Sequence, residues 1–306
     1  VNSRRRTRRL VVRAPAKINL TLRVGPRQPD GYHDVETILQ AIALTDALTV
    51  TAAQGPFTLE VNAPGVPADR TNLVWRAAEH LWQDAGRRGE PRDARVVLEK
   101  RVPAQAGLGG GSADAAAALV GLNRVWGLRR PVADLARLAA SLGADVPFLF
   151  TGGAALGTGR GDRLHPLTDL RPFDVVLLVP RVGVATSDAY RWLDEDRAGH
   201  DSDRSSGTTR AAADAVAVGW PAGPLVLSND LEASVVARTP IVGEALAACR
   251  KAGALGVSMT GSGSAVFGLF RRGGGRAASR RLRGPGWTAI VTRTLTRRES
   301  ARQMAL

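Results

Sequence analysis

Cysteine is nearly absent from this chain. One thiol, Cys249, stands among 306 residues, which excludes an internal disulfide framework and any Cys-rich zinc or iron–sulfur site. Lysine is almost as scarce. Lys17, Lys100 and Lys251 are the only three, and the other 39 of the 42 basic residues are arginines. Because the lysines are followed by Ile18, Arg101 and Ala252, none can belong to a Walker-type phosphate loop, which needs Ser or Thr there. The chain has no His-Arg-Asp or Asp-Phe-Gly, so it is not a protein kinase, and no Gly-x-Ser-x-Gly elbow of a serine hydrolase. No apolar run approaches the roughly 18 residues that cross a bilayer, so no membrane partner is expected.

What is present fits an ordinary globular chain: 44% hydrophobic and 23% charged residues, with room for about two domains at roughly 100–200 residues each. The formal charge of +14 invites a nucleic-acid reading, since clustered cations gain affinity by releasing counterions. Two features weigh against it. The arginines are scattered from Arg4 to Arg302, and aromatics make up only 5%, too few for a stacking array. No nucleic-acid partner is therefore expected. Residues 1–9, with five arginines, read as a solvated, disordered tail without the apolar segment of a secretory signal.

Apolar spacing predicts an extended, bending segment over 10–24 and short strands over 48–52, 57–61 and 95–99. Helices are predicted over 72–85 and 132–142, with a stronger one carrying Ala116, Leu119, Val120, Asn123 and Trp126. A buried strand is predicted over 173–180. A polar stretch near 198–224 reads as a mobile insertion. Helices over 229–237, 240–252 and 275–283 then alternate with strands over 255–259, 264–270 and 287–293. The pattern is α+β, with a domain boundary just before Phe173.

Four constellations could carry chemistry. Pro103-Ala-Gln-Ala-Gly-Leu-Gly-Gly-Gly-Ser-Ala-Asp-Ala-Ala (103–116) feeds a glycine turn, with Ser112 and Asp114 as capping candidates, into a helix start. Free N–H groups and the helix dipole favour phosphate there. Lys17 and Asn19, two apart on a strand, share a face, and the turn at 29–31 presents Tyr32 and His33 together. Asp145 stands in Leu142-Gly-Ala-Asp-Val-Pro between a helix end and Pro147. Gly261 and Gly263, in Met259-Thr-Gly-Ser-Gly, expose backbone between two strands.

Together these segments, with Asn229-Asp-Leu-Glu, resemble the GHMP kinase superfamily in the same order along residues 10–293. The Pro29-Asp-Gly-Tyr-His segment is similar to one branch, which acts on a cytidine-diphosphate-linked methylerythritol in isoprenoid precursor synthesis. The resemblance implies an N-terminal ribosomal S5-like domain (10–172) and a C-terminal ferredoxin-like domain (173–306). It implies a cytoplasmic enzyme, monomer or homodimer, that uses ATP and Mg²⁺ to phosphorylate the 2-hydroxyl of that alcohol. A family member acting on a different alcohol, or a basic RNA-binding protein, are the competing readings.

Residue by residue, the resemblance places ATP phosphates over Pro103, Ala104, Gln105, Ala106, Gly107, Leu108, Gly109, Gly110, Gly111, Ser112 and Ala113. Ser112 would touch the phosphate-bound Mg²⁺; Asp114 would either join it or cap the helix, the second being preferred. Asn72 and Lys100 fall at the adenine end. Asp145 would accept the proton of the acceptor hydroxyl, with Lys17 as its partner. Tyr32 and Tyr190 would stack on the cytosine and His33 would read its polar edge. Asn19 and Thr186 would line the path to the reacting hydroxyl, and Gly261 and Gly263 would close over the transferred phosphate.

Overall fold

The structure is a computed structural model and describes residues 9–198 and 227–306. The arginine-rich start, apart from Arg9, and the 198–224 stretch, apart from Ala198, lie outside the described residues.

A long hairpin organises the first half. Strand β1 (Arg9–Arg27) pairs antiparallel with β2 (His33–Pro56). β3 (Thr58–Val61) and β4 (Arg92–Glu99) extend the sheet on one side, in the order β3-β4-β2-β1. The hairpin of β5 (Ala154–Thr158) and β6 (Arg163–Pro166) pairs with the start of β2. β2 is far longer than the strand expected over 48–52. Ile38 and Ile42 enter one core while Leu39 and Ala41 enter another, so burial on both faces erases the alternation that would mark it.

Helices α1 (Leu73–Asp84), α2 (Gly110–Val125), α3 (Val132–Ala140) and α4 (Phe148–Thr151) cover one face of this sheet. α2 is Ala-rich and buried on almost every side, so small side chains let it sit close against β1 and β2. The register of β1 shifts between Pro15 and Lys17. Val12 and Ala14 face the helices, whereas Ala16, Ile18 and Leu20 face the second sheet. The bulge therefore turns Lys17 and Asn19 towards the helical side.

The second sheet has the order β11-β7-β10-β9, all antiparallel, from β7 (Asp174–Pro180), β9 (Gly256–Met259), β10 (Val266–Phe270) and β11 (Trp287–Arg293). Numbered within the sheet this is 4-1-3-2, the order of a ferredoxin-like unit. α5 (Thr186–Ala198), α6 (Glu232–Arg238), α7 (Pro240–Lys251) and α8 (Gly275–Arg281) cover its outer face, with Leu193, Val235, Leu246 and Ala278 in one cluster. Val175, Leu177, Phe267 and Leu269 on its inner face meet Ile18, Leu20, Ile38 and Ile42 of the first sheet. Each such side chain contributes about 1.5–3 kcal/mol on burial, so the two sheets are held face to face by an apolar layer.

Two elements cross between the halves. β8 (Ser228–Asn229) pairs parallel with β1, and α9 (Arg297–Met304) returns to the first half, where Met304 joins its core. α5 and α9 were not expected. α5 is too polar to show an apolar stripe, but α9 does carry a readable start: Thr296 and Glu299 form a capping box.

Candidate active site

A cleft of about 750 Å³ runs along the glycine segment. It is lined by Pro103–Ser112 without a break, together with Asn72 and Lys100. Asn19, Thr37, Arg160, Thr186 and Tyr190 also line it, as do Lys17 and Asp145.

α2 opens inside the glycine run rather than after it. Gly109 is the N-cap in a left-handed conformation, no side chain caps the helix, and no acidic residue stands in its first turn. Ser112 is thus a first-turn residue and not the cap expected from sequence. An uncapped start leaves N–H groups available to an anion. Glycine is required by contact as well as conformation at Gly107 (φ +73°), where a Cβ would fall 2.0 Å from Thr260 O. The two glycine segments lie against each other at that point, and the Thr260 hydroxyl donates to Gly107 O at 3.1 Å.

Lys17 reaches this segment from β1. Its backbone N–H donates to Leu108 O at 3.0 Å. Its ammonium donates to Asn19 Oδ1 at 2.8 Å and lies 3.3 Å from Asp145 Oδ2. Asn19 in turn donates through Nδ2 to Thr37 Oγ1 at 2.7 Å, so the lysine is aimed by a buried chain of hydrogen bonds. Lys17 is 5% exposed and Asp145 37% exposed at the side chain: the ammonium is enclosed and the carboxylate is open to the cleft.

Lys100 has a different setting. Its ammonium is bound between Asp46 and Asp114, at 2.7 Å from Asp114 Oδ2. Asp46 Oδ1 also accepts from the Arg101 and Val102 N–H groups. Burial pushes the Asp114 carboxyl up to about 8, with the Asp46 charge adding to it against the pull of Lys100. For Lys100, burial opposes the charged form, but Asp114 and Asp46 outweigh it and raise the ammonium's pKa. Asp114 is therefore a buried partner of Lys100 and not the helix cap preferred from sequence. Lys100 lines the cleft with its ammonium already engaged. Asn72 is engaged too, capping α1 through Val74 N at 2.9 Å and donating to Pro67 O at 2.7 Å.

The residues expected around the base are brought together only in part. Tyr190 and Thr186 line the cleft from α5, and the Thr186 and Ser262 hydroxyls are 3.1 Å apart. Burial, then the Asp145 charge, push the Tyr190 phenol up to about 12. His33 does not line the cleft. It packs against Tyr190 with ring centroids 5.2 Å apart, and its Nε2 lies 2.8 Å from Asp194 Oδ1. Tyr32 is 59% exposed, also outside the lining, and its ring is covered by the Arg160 guanidinium at 4.0 Å. Gly261 lines the cleft, whereas Gly263 and Ala113 do not.

Several working residues escaped the sequence reading. Asn229 donates to Met259 O at 2.9 Å and Gly261 O at 2.8 Å, and Glu232 accepts from Met259 N at 2.8 Å. The Asn-Asp-Leu-Glu segment, assigned no task from sequence, thus braces the second glycine loop. Thr37, Asp46, Arg160 and Asp194 belong to none of the four constellations read from the sequence, and only their placement reveals them.

Comparison with known proteins gives the family. Residues 72–153 match the GHMP kinases N terminal domain and residues 213–286 match the GHMP kinases C terminal domain. The chain belongs to the GHMP kinases, small-molecule kinases with ATP as cosubstrate. Within them it is 46% identical over 259 residues, 83% of this chain and 82% of the relative, to the 4-diphosphocytidyl-2-C-methyl-D-erythritol kinase of Nocardia farcinica. It is 42% identical to the enzyme of the same name from Anaeromyxobacter dehalogenans, covering 94% and 92% of the two chains. A crystal structure of 4-(cytidine 5'-diphospho)-2C-methyl-D-erythritol kinase superposes with a TM-score of 0.74 at 36% identity, over 93% of this chain and 99% of that one. A homoserine kinase from Cytophaga hutchinsonii gives the same TM-score at 19% identity and shares the fold.

Proposed function

We propose that this chain transfers the γ-phosphoryl group of ATP to the 2-hydroxyl of 4-diphosphocytidyl-2-C-methyl-D-erythritol, in the cytoplasm, as a step towards isoprenoid precursors. The observation that carries the chemistry is the Lys17–Asp145 pair, with its open carboxylate on the wall of a cleft floored by the glycine loop. Asp145 accepts the proton of the acceptor hydroxyl as its oxygen attacks the γ-phosphorus. The Lys17 ammonium stabilises negative charge on that oxygen. The glycine-loop N–H groups hold the phosphates, and ADP leaves with the bridging oxygen.

Asn19 keeps Lys17 in place, Tyr190 offers a face to the cytosine, and His33 holds the Tyr190 ring. Asn72 and Lys100 border the adenine end. The residues also fit Mg²⁺. Asp114 Oδ1 is buried without a hydrogen-bond partner, and both Asp114 and Ser112 line the cleft. That suits an ion that takes most of its ligands from phosphate and water; when bound, it neutralises charge on the transferred group.

The test is a coupled ADP-release assay with the cytidine-linked acceptor, homoserine and mevalonate in parallel. Turnover of the first alone is expected. Turnover of homoserine or mevalonate without it would reassign the acceptor.

A further inference from the structure

The acceptor end of the cleft carries a cation that no motif pointed to. Arg160 occupies the turn between β5 and β6, within Gly159-Arg160-Gly161. The turn is pinned to the start of β2, because the Val35 N–H donates to Gly159 O at 2.7 Å. This holds Arg160 against the β1–β2 turn. There its guanidinium lies 4.0 Å from the centroid of the Tyr32 ring and its Nη2 is 2.5 Å from Asp30 Oδ2. Asp30 also accepts from the Tyr32 N–H at 3.0 Å, so the three side chains form one unit. Arg160 lines the cleft and Tyr32 does not.

We propose that Arg160 determines acceptor specificity by exchanging Asp30 for the acceptor's diphosphate, and that in leaving it uncovers Tyr32 for the base. The inference rests on the reading of the acceptor as a cytidine-diphosphate-linked alcohol. Arg160 and Asp30 are each 51% exposed at the side chain, and a pair so open to water is held weakly. A diphosphate carries more charge than one carboxylate and accepts charge-assisted hydrogen bonds from a planar guanidinium fork. One face of an aromatic ring holds one planar group, so a base cannot stack on this face of Tyr32 while the guanidinium is there. In the acceptor, base and diphosphate belong to one molecule. The molecule that needs the ring face therefore also brings the anion that draws the cation away, whereas a bare nucleoside must displace Arg160 uncompensated.

Equilibrium titration with cytidine and CDP, which needs no turnover, tests this on the wild-type chain, Arg160→Ala, Arg160→Lys and Asp30→Asn. In Arg160→Ala, CDP affinity should fall about 10–100-fold while cytidine affinity stays level or rises. Arg160→Lys should recover only part of the loss, because it restores charge without the planar fork. Asp30→Asn should tighten CDP by about threefold, since it frees the guanidinium. In turnover, Arg160→Ala should raise the acceptor KM about tenfold or more with kcat within about threefold, leaving the KM for ATP unchanged. A CDP-to-cytidine affinity ratio in Arg160→Ala equal to that of the wild type would overturn the role of Arg160 alone. A wild-type chain that binds neither nucleotide nor nucleoside would overturn the acceptor reading and this inference together.

Discussion

Two of the three lysines of this chain form ion pairs at the same cleft, yet their surroundings differ. Lys100 is enclosed by Asp46 and Asp114, which are 0% and 4% exposed, and its ammonium is bound to both. Lys17 is enclosed just as well, but its partner Asp145 is 37% exposed and faces the cleft. A cation held between two buried acidic side chains is already engaged twice; removing it would strand charge in a low-dielectric interior. A buried cation beside an open carboxylate leaves that carboxylate able to take a proton from an incoming hydroxyl. The first arrangement maintains the strand-to-helix corner that carries the glycine loop. The second is the pair we propose for the chemistry.

Substitutions separate the two. Asp145→Asn should lower kcat by about 10²–10⁴-fold with ATP affinity retained. An active Asp145→Asn enzyme, read by ADP release, would remove Asp145 as the base. Lys17→Met should lower kcat by about 10²–10³-fold, as expected for loss of one charge-stabilising donor. Its denaturant midpoint should move little, because Asp145 remains hydrated. Lys100→Met should behave the other way round, costing about 3–5 kcal/mol of stability in urea unfolding because the buried Asp46–Asp114 pair loses its cation. If Lys100→Met unfolded at the wild-type midpoint, the distinction between the two lysines would collapse.

A further separation concerns pH. In the folded chain burial, reinforced by Asp46, holds the Asp114 carboxyl at about 8, against an ordinary value of 3.8. Between those values the folded state keeps a proton that the unfolded state has released, so this group's contribution to stability falls as pH rises from about 4 to about 8. Urea midpoints measured across that window should decline more steeply for the wild type than for Asp114→Asn, which has no proton to lose. Parallel profiles would show that Asp114 is ionised in the fold.

Legibility in the sequence followed local chemistry. The glycine loop, the strand bearing Lys17 and Asn19, and the loop bearing Asp145 each carry a short pattern of Gly, Pro or paired polar residues, and each reaches the cleft. Helices α1, α2, α3 and α7 were readable from apolar spacing. β2 was not, because both faces are buried. Asp114 reads as a cap in sequence but stands beyond the first turn of α2: a carboxylate near a helix start looks the same in sequence whether it points along that start or into a core beside Lys100. Tyr32 and His33 are adjacent in the chain, yet one lies under Arg160 and the other behind Tyr190.

The scarcity of lysine, the glycine segments and the carboxylate before Pro147 belong to the amino-acid order itself, since backbone conformation and side-chain type at neighbouring positions are local properties. Which carboxylate meets which lysine is not local. A bulge at Pro15, a hairpin pinned at Gly159 and the packing of one sheet on another bring Lys17 to Asp145, Lys100 to Asp46 and Arg160 to Tyr32. Burial then decides which of those pairs is closed and which can still react.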